Sequence, residues 1–254
     1  MIIRTSEERQ NLIEAGKRLR AVLEALRKRA VPGVSVEELN TIAETMIREG
    51  GDQPVFLGYT PEGAPRPYPA TLCVSINDEV VHGIPNELKK VLKEGDIVGL
   101  DLGLRHQGIV VDAAITVAVG TIDKTTQELL HVTELALQNG IAAAKVGGRI
   151  GDISHAIATT FKGTNFSVVK ELGGHGVGES VHEEPFVANV GHPGTGVELV
   201  EGMVLALEPI ANAGKAAVVL APDGYTYRTR DGSKSAHFEH TILLETEGAR
   251  IITA

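Results

Sequence analysis

A single cysteine, Cys73, among 254 residues leaves no partner for an internal disulfide and suits a reducing compartment. Basic residues are also in short supply. Against 33 Asp and Glu stand 24 Lys and Arg, and the net charge of -9 argues against broad binding to nucleic acid or to an anionic membrane. The Arg and Lys residues near the N-terminus read as the solvated face of a helix. No run approaches the roughly 20 apolar residues of a membrane span, and the opening MIIRTSEERQ lacks the apolar core of a signal peptide. The expectation is a soluble, cytoplasmic protein. What is present is ordinary for a globular chain: 43% apolar and 22% charged residues, enough to bury the core of one large domain or of two small fused halves.

Thr5 and Glu8 form a capping box ahead of Leu12, Ala15, Leu19, Val22, Leu23 and Leu26, which predicts a long amphipathic helix ending at Arg29. Pro32-Gly33 stops it, and Ser35 with Glu38 starts a second helix running to about Glu49. Prolines and glycines crowd the segment from Gly51 to Pro69 and predict a long loop. Strands are expected over Thr71 to Ile76, Glu79 to His82, Asp96 to Leu104 and Ile109 to Val119, then helices over Thr125 to Lys145 and Asp152 to Lys162. From Val168 to Thr253 the pattern returns to short strands and glycine turns. Helices then strands, twice, describe an α+β chain: one domain over 1–254 built of two similar halves, about 35–120 and 125–245.

Four carboxylates stand where these strands should be most apolar. The run Glu94-Gly95-Asp96-Ile97-Val98-Gly99-Leu100-Asp101 and the run Glu201-Gly202-Met203-Val204-Leu205-Ala206-Leu207-Glu208 each pass from Glu-Gly through an apolar stretch to an acid. Asp112 follows the first and Glu239 the second. An unpaired carboxylate in an apolar interior costs several kcal/mol or neutralises itself, so four of them imply cations and read as a metal cage. A hairpin closed over Arg105 to Gly108 would set Asp101 and Asp112 directly opposite one another, with Cβ atoms roughly 4.5 to 5.5 Å apart, a repulsive arrangement that a divalent cation relieves. Three histidines in glycine-flanked turns join the candidates: His175 in Gly173-Gly174-His175-Gly176, His182 just beyond it, and His82 before Gly83.

Two aspartates with ten residues between them, a histidine in His-Gly-x-Gly, a glutamate before proline and a glutamate before His-Thr together resemble the type I methionine aminopeptidases of the pita-bread fold. The likeness runs from the first helix to about Ile251. It implies two divalent ions (cobalt, manganese, iron or zinc, which the donor set alone does not choose between), with Asp112 and Glu239 bridging, Asp101 on one ion, and His175 with Glu208 on the other. It implies removal of N-terminal methionine from nascent proteins and peptides, a small second residue being preferred. In that scheme Glu208 shuttles a proton, His182 steadies the carbonyl oxygen or tetrahedral intermediate, and His82 contacts the scissile amide nitrogen. The methionine pocket would be formed by Phe56, Tyr59, Tyr68, Cys73, Val181 and Tyr225, whose soft and aromatic walls suit a thioether. Expected partners are N-terminal methionyl peptides, with the ribosome a further candidate, for a monomer.

The chain also departs from the family it resembles. Tyr225 stands where tryptophan is common, Val181 where an aromatic is expected and Val81 where a cysteine is usual, and an insertion around Thr60 to Pro67 lengthens one wall of the pocket. Gly103 and Ala113 replace threonines that usually hydrogen-bond behind the metal ligands, so either weaker metal binding or water in place of the hydroxyls is expected. Two rivals remain. A proline-specific peptidase of the same fold generally carries a large N-terminal domain, whereas about thirty residues precede the first motif-bearing half. A non-catalytic binding protein of this fold would have lost ligands, and all five are kept.

Overall fold

The computed structural model describes residues 1–61 and 63–254; Glu62, inside the expected insertion, lies outside them. The first half holds α1 (Ser6–Arg29), α2 (Val36–Glu49), β1 (Gln53–Pro54), β2 (Leu72–Ile76), β3 (Glu79–Val81), β4 (Ile97–His106) and β5 (Ile109–Ala118). Then come α3 (Lys124–Ala143), α4 (Ile150–Thr160), β6 (Ser167–Val168), β7 (Gly173–Gly176), β8 (Glu183–Ala188), β9 (Val204–Leu207) and β10 (Ile210–Asn212). The chain closes with β11 (Val218–Leu220), β12 (Tyr227–Thr229), β13 (Ser235–His237), β14 (His240–Glu245) and β15 (Gly248–Ile251).

Local signals set the helix starts. Thr5 Oγ1 accepts from the Glu8 amide at 3.1 Å while the Glu8 carboxylate accepts from the Thr5 amide at 3.0 Å, which satisfies two donors that α1 would otherwise leave unpaired. Arg27, Lys28 and Arg29 close the helix where its dipole favours cations. Its apolar face packs against β4 and β5, and α2 packs against β2, around Leu12, Leu19, Leu39, Leu72, Leu100 and Leu102. A second core gathers Leu129, Ile153, Ile157, Leu205, Leu207 and Ile242 beneath α3 and α4. Each pair of helices thus covers its own set of strands.

Two sequence expectations fail here for identifiable reasons. The segment from Gly51 to Pro69 is not wholly irregular, because Gln53 and Pro54 pair with Arg105 and Leu104 at the edge of β4, a place where proline is tolerated. The hairpin does not set its two acids face to face. Its turn is Gln107-Gly108, both with positive φ (47° and 85°), a two-residue connection of the kind that matches strand twist. That turn pairs His106 with Ile109, and the register then puts Asp101 opposite Ala114 and Asp112 opposite Gly103. The acids remain on one face but are diagonal neighbours. The position was fixed by where a left-handed pair can sit, not by the midpoint between the two acids.

The two halves meet along β5. Asp112 exchanges hydrogen bonds with the Thr241 hydroxyl, its amide donating at 2.9 Å and its carbonyl accepting at 2.7 Å. The Glu239 amide donates to the Ala114 carbonyl at 2.8 Å. Thr116 Oγ1 donates to the His237 carbonyl at 2.7 Å and accepts from the His237 amide at 2.9 Å. Alternate residues of β5 are therefore tied to the segment that carries Glu239.

Candidate metal centre

Asp101, Asp112, His175, Glu208 and Glu239 line one cavity that opens to solvent. Asp101 and Asp112 come from β4 and β5; the other three come from the second half. β9 and β14 pair antiparallel, with Leu207 opposite His240, so Glu208 and Glu239 follow as neighbours at the strand ends. β7 enters beside β9, with His175 opposite Ala206. Its glycines are required there, since a Cβ on Gly174 would stand 2.2 Å from the Ala206 carbonyl oxygen and one on Gly176 would stand 2.3 Å from that of Glu184. Asp112, His175 and Glu239 each offer a ligand atom, all within 4.8 Å of one another.

The donors are prepared for cations. His175 Nδ1 lies 2.9 Å from the Gly176 carbonyl oxygen; donating there, the ring keeps a lone pair on Nε2, which faces Glu208 Oε1 and Glu239 Oε1, each at 3.9 Å. Burial and the Asp112 charge push Asp101 well above the usual carboxylate range. Burial, then the charges of Asp112 and Glu208, do the same to Glu239. Asp112 is raised to about 6, chiefly by burial, against the pull of His175. For Glu208 burial also opposes ionisation, but the contact with His237 and the nearby His175 bring it below its ordinary value. Asp101 Oδ1, Asp112 Oδ1 and His237 Nε2 are buried without a hydrogen-bond partner. Orphaned acceptors and mutually repelling buried carboxylates are what a divalent cation would satisfy, so the residues present fit a metal centre.

The remaining cavity wall is apolar and aromatic. Phe56, Tyr59, Pro61, Tyr68, Cys73 and Tyr225 line it together with His82 and His182. Tyr68 donates its hydroxyl to the Gly83 carbonyl at 2.9 Å, and Tyr225 donates to the Arg66 carbonyl. The two rings meet edge-on at 5.1 Å, so their polar ends are occupied elsewhere and their carbon surface remains for a ligand. Burial pushes the Cys73 thiol up, and it stays neutral. Tyr59 Oη contacts His182 Nδ1 at 2.9 Å, and the His182 ring stands edge-on to His175 at 4.5 Å. Surrounding protein, with His175 beside it, lowers the His182 pKa; burial does so for His82. His82 occupies the left-handed region (φ 59°), a strained choice for a residue with a Cβ. Gly83 follows because any side chain there would strike the Val74 carbonyl oxygen, 2.2 Å from its Cβ. Val181 is the exception: it is buried in the first core and does not line the cavity.

The profile of metallopeptidase family M24 matches residues 10–246. The chain belongs to that family. It is 43% identical to methionine aminopeptidase 1 of Bacillus subtilis (strain 168), over 100% of this chain and 99% of that protein. Its fold superposes on the crystal structure of methionine aminopeptidase from Thermotoga maritima with a TM-score of 0.93 at 44% identity, covering 100% and 99% of the two chains. An Xaa-Pro dipeptidase from Bacillus anthracis gives a TM-score of 0.75 at 24% identity and extends well beyond this chain, which covers 62% of it. That likeness is one of fold alone and lends nothing to the proline-specific alternative. The M24 chain is thus α+β with the pita-bread fold, helices packed outside antiparallel sheets.

Two features of this M24 site were not read from the sequence. Gly103 has no room for the threonine hydroxyl expected in its family: its Cβ would stand 2.6 Å from Val55 Cγ2 and 3.0 Å from Phe56 Cε1. Side chains of the β1 loop fill that space. The other is His237, buried, with Nε2 3.1 Å from Glu208 Oε2 and 4.0 Å from Glu239 Oε2. Its alternation with Glu239 in Ser235-Ala236-His237-Phe238-Glu239 was the available signal.

Proposed function

We propose that this chain removes N-terminal methionine from peptides and nascent proteins by metal-dependent hydrolysis, with a small second residue preferred. The observation that carries the reading is the single cavity in which five metal-ligand side chains meet a pocket of aromatic and thiol walls. Asp101, Asp112, His175, Glu208 and Glu239 would hold two divalent ions, which would supply Lewis acidity and lower the pKa of the attacking water. Cobalt, manganese, iron and zinc all suit such donors. Glu208, the carboxylate held most readily ionised, takes the proton of the attacking water and passes it to the leaving amine. With Tyr59 donating to Nδ1, His182 carries its proton on Nε2 and donates it to the carbonyl oxygen as negative charge develops there. His82, kept neutral by burial, accepts from the scissile amide N–H.

The methionine side chain lies against Tyr59, Tyr68, Cys73 and Tyr225, and Phe56 closes the pocket near Gly103. The protein works as a monomer in the cytoplasm and meets its substrates as they leave the ribosome, in keeping with its one buried cysteine. Release of methionine from Met-Ala and Met-Gly peptides, measured after reconstitution with each metal in turn, tests the proposal. Protein that binds two ions and releases no methionine with any metal would instead be a binding protein of this fold.

A further inference from the structure

We infer that His237 is a positioning residue that holds the Glu208 carboxylate in the orientation the metal centre needs. The inference rests on the reading of Glu208 as ligand and proton acceptor. Each oxygen of Glu208 faces a different imidazole: Oε1 lies 3.9 Å from His175 Nε2, and Oε2 lies 3.1 Å from His237 Nε2. The two rings differ in their backbone contacts. His175 Nδ1 is matched to the neighbouring carbonyl, which frees Nε2 as a ligand atom. For His237 the buried Nε2 is the unsatisfied atom, and Glu208 Oε2 lies 3.1 Å from it, within reach of a small turn of the ring.

The backbone of His237 is held from two sides. It pairs with Ile210 of β10, just past Glu208, and both its amide and its carbonyl are bonded to the single hydroxyl of Thr116. The imidazole therefore stands on a fixed support, while Glu208 lies at the open end of β9 before Pro209. A glutamate has three side-chain torsions, and one that must both hold a cation and accept a proton gains by having them restrained. An N–H on Oε2 keeps Oε1 turned towards His175, the side on which a cation would sit. The same ring is 4.0 Å from Glu239 Oε2, so it lies between the two glutamates of the second half.

Four proteins test this: wild type, His237→Gln, His237→Asn and His237→Leu. Glutamine places an N–H near the position of Nε2, asparagine stops short near Nδ1, and leucine keeps the volume without a donor. Manganese titration by calorimetry is expected to show affinity weakened by about 10- to 100-fold in the leucine and asparagine variants, with glutamine near wild type. On a Met-Ala peptide at saturating metal, kcat should follow the same order while KM stays put. X-ray absorption of the cobalt-loaded proteins should count the same number of imidazoles in wild type and His237→Leu. Wild-type affinity and kcat in the leucine variant would overturn the inference, as would glutamine performing no better than asparagine. Loss of one imidazole from the cobalt shell would overturn it too, by making His237 a ligand. Should the leucine variant fail to fold, the glutamine and asparagine pair decides. Wild-type protein that binds metal yet releases no methionine would count against the proposed hydrolysis, while the metal titrations would still judge His237.

Discussion

Thr241→Val should destabilise the protein far more than the loss of one surface hydroxyl would. The side chain is fully buried and nearly isosteric with valine, so neither a cavity nor a change of strand preference intervenes. Its hydroxyl accepts from the Asp112 amide at 2.9 Å and donates to the Asp112 carbonyl at 2.7 Å. In the β4–β5 register Asp112 faces Gly103, and its backbone polar groups point across to Thr241. A methyl in place of the hydroxyl leaves a buried donor and a buried acceptor unsatisfied, each costing about 1–3 kcal/mol, or about 2–6 kcal/mol together. Global stability of a domain is about 5–15 kcal/mol, so that is a large share of it. Urea unfolding of the chelator-treated protein measures the loss without a contribution from metal, and an unchanged m-value shows that the denatured state is the same. Thr241→Ser, which keeps the hydroxyl, should recover most of the difference. A valine variant within about 0.5 kcal/mol of wild type would refute the claim that this hydroxyl ties the two halves together.

His82→Ala and His182→Ala should bind metal as wild type does and lower turnover on Met-Ala peptides at least about tenfold; unchanged kinetics with normal metal content would remove both residues from the mechanism. Gly103→Thr, which restores the family's threonine, should cost about 1–3 kcal/mol in thermal unfolding because its Cβ overlaps Val55 and Phe56, and Val55→Ala should relieve it; a stable variant with tighter metal binding would contradict the packing argument. Asp112, Asp101 and Glu239 all have pKa values raised by burial in the first place, Asp112 to about 6. The metal-free native state therefore keeps protons that the unfolded chain gives up, and this stabilisation is lost as pH rises from the ordinary carboxylate range through about 6. Cations compete with the same protons, so the rise in Tm caused by manganese should grow between pH 5 and pH 7.5. A rise independent of pH over that range would count against buried, proton-holding ligands. Taking the difference between loaded and metal-free protein removes the opposing contribution of His240, whose pKa is lowered to about 4 chiefly by burial.

Features encoded within a few residues could be read directly. The Thr5–Glu8 box and the Ser35 cap are completed by their own helices, and the observed starts agree with the sequence. The two Glu-Gly runs were also legible, since Gly95 and Gly202 both take positive φ just ahead of the strands that carry or precede Asp101 and Glu208. What escaped depends on contacts between distant segments. The diagonal placement of Asp101 and Asp112 follows from a Gln-Gly turn whose backbone angles the spacing of acids does not reveal. Val181 lies near His182 in sequence yet turns into the first core, and the space beside Gly103 is claimed by Val55 and Phe56 from almost fifty residues earlier. His237 stands out weakly in the sequence because a histidine two residues before an acid acquires meaning only once β9 has brought Glu208 alongside it.

The ladder along β5 has a consequence in time. About 140 residues separate Asp101 from Glu239, and at roughly 5–20 residues per second a ribosome adds them in about 7–30 s. For that interval β5 lacks the hydroxyl that holds Asp112, and Asp112 has no Glu239 beside it. A half-made chain has only Asp101 and Asp112 of the five proposed ligands that line the cavity. On the proposed ligand set, a cation held by all five side chains marks a molecule whose second half has been synthesised, folded and docked, so the cage is completed only at the close of maturation.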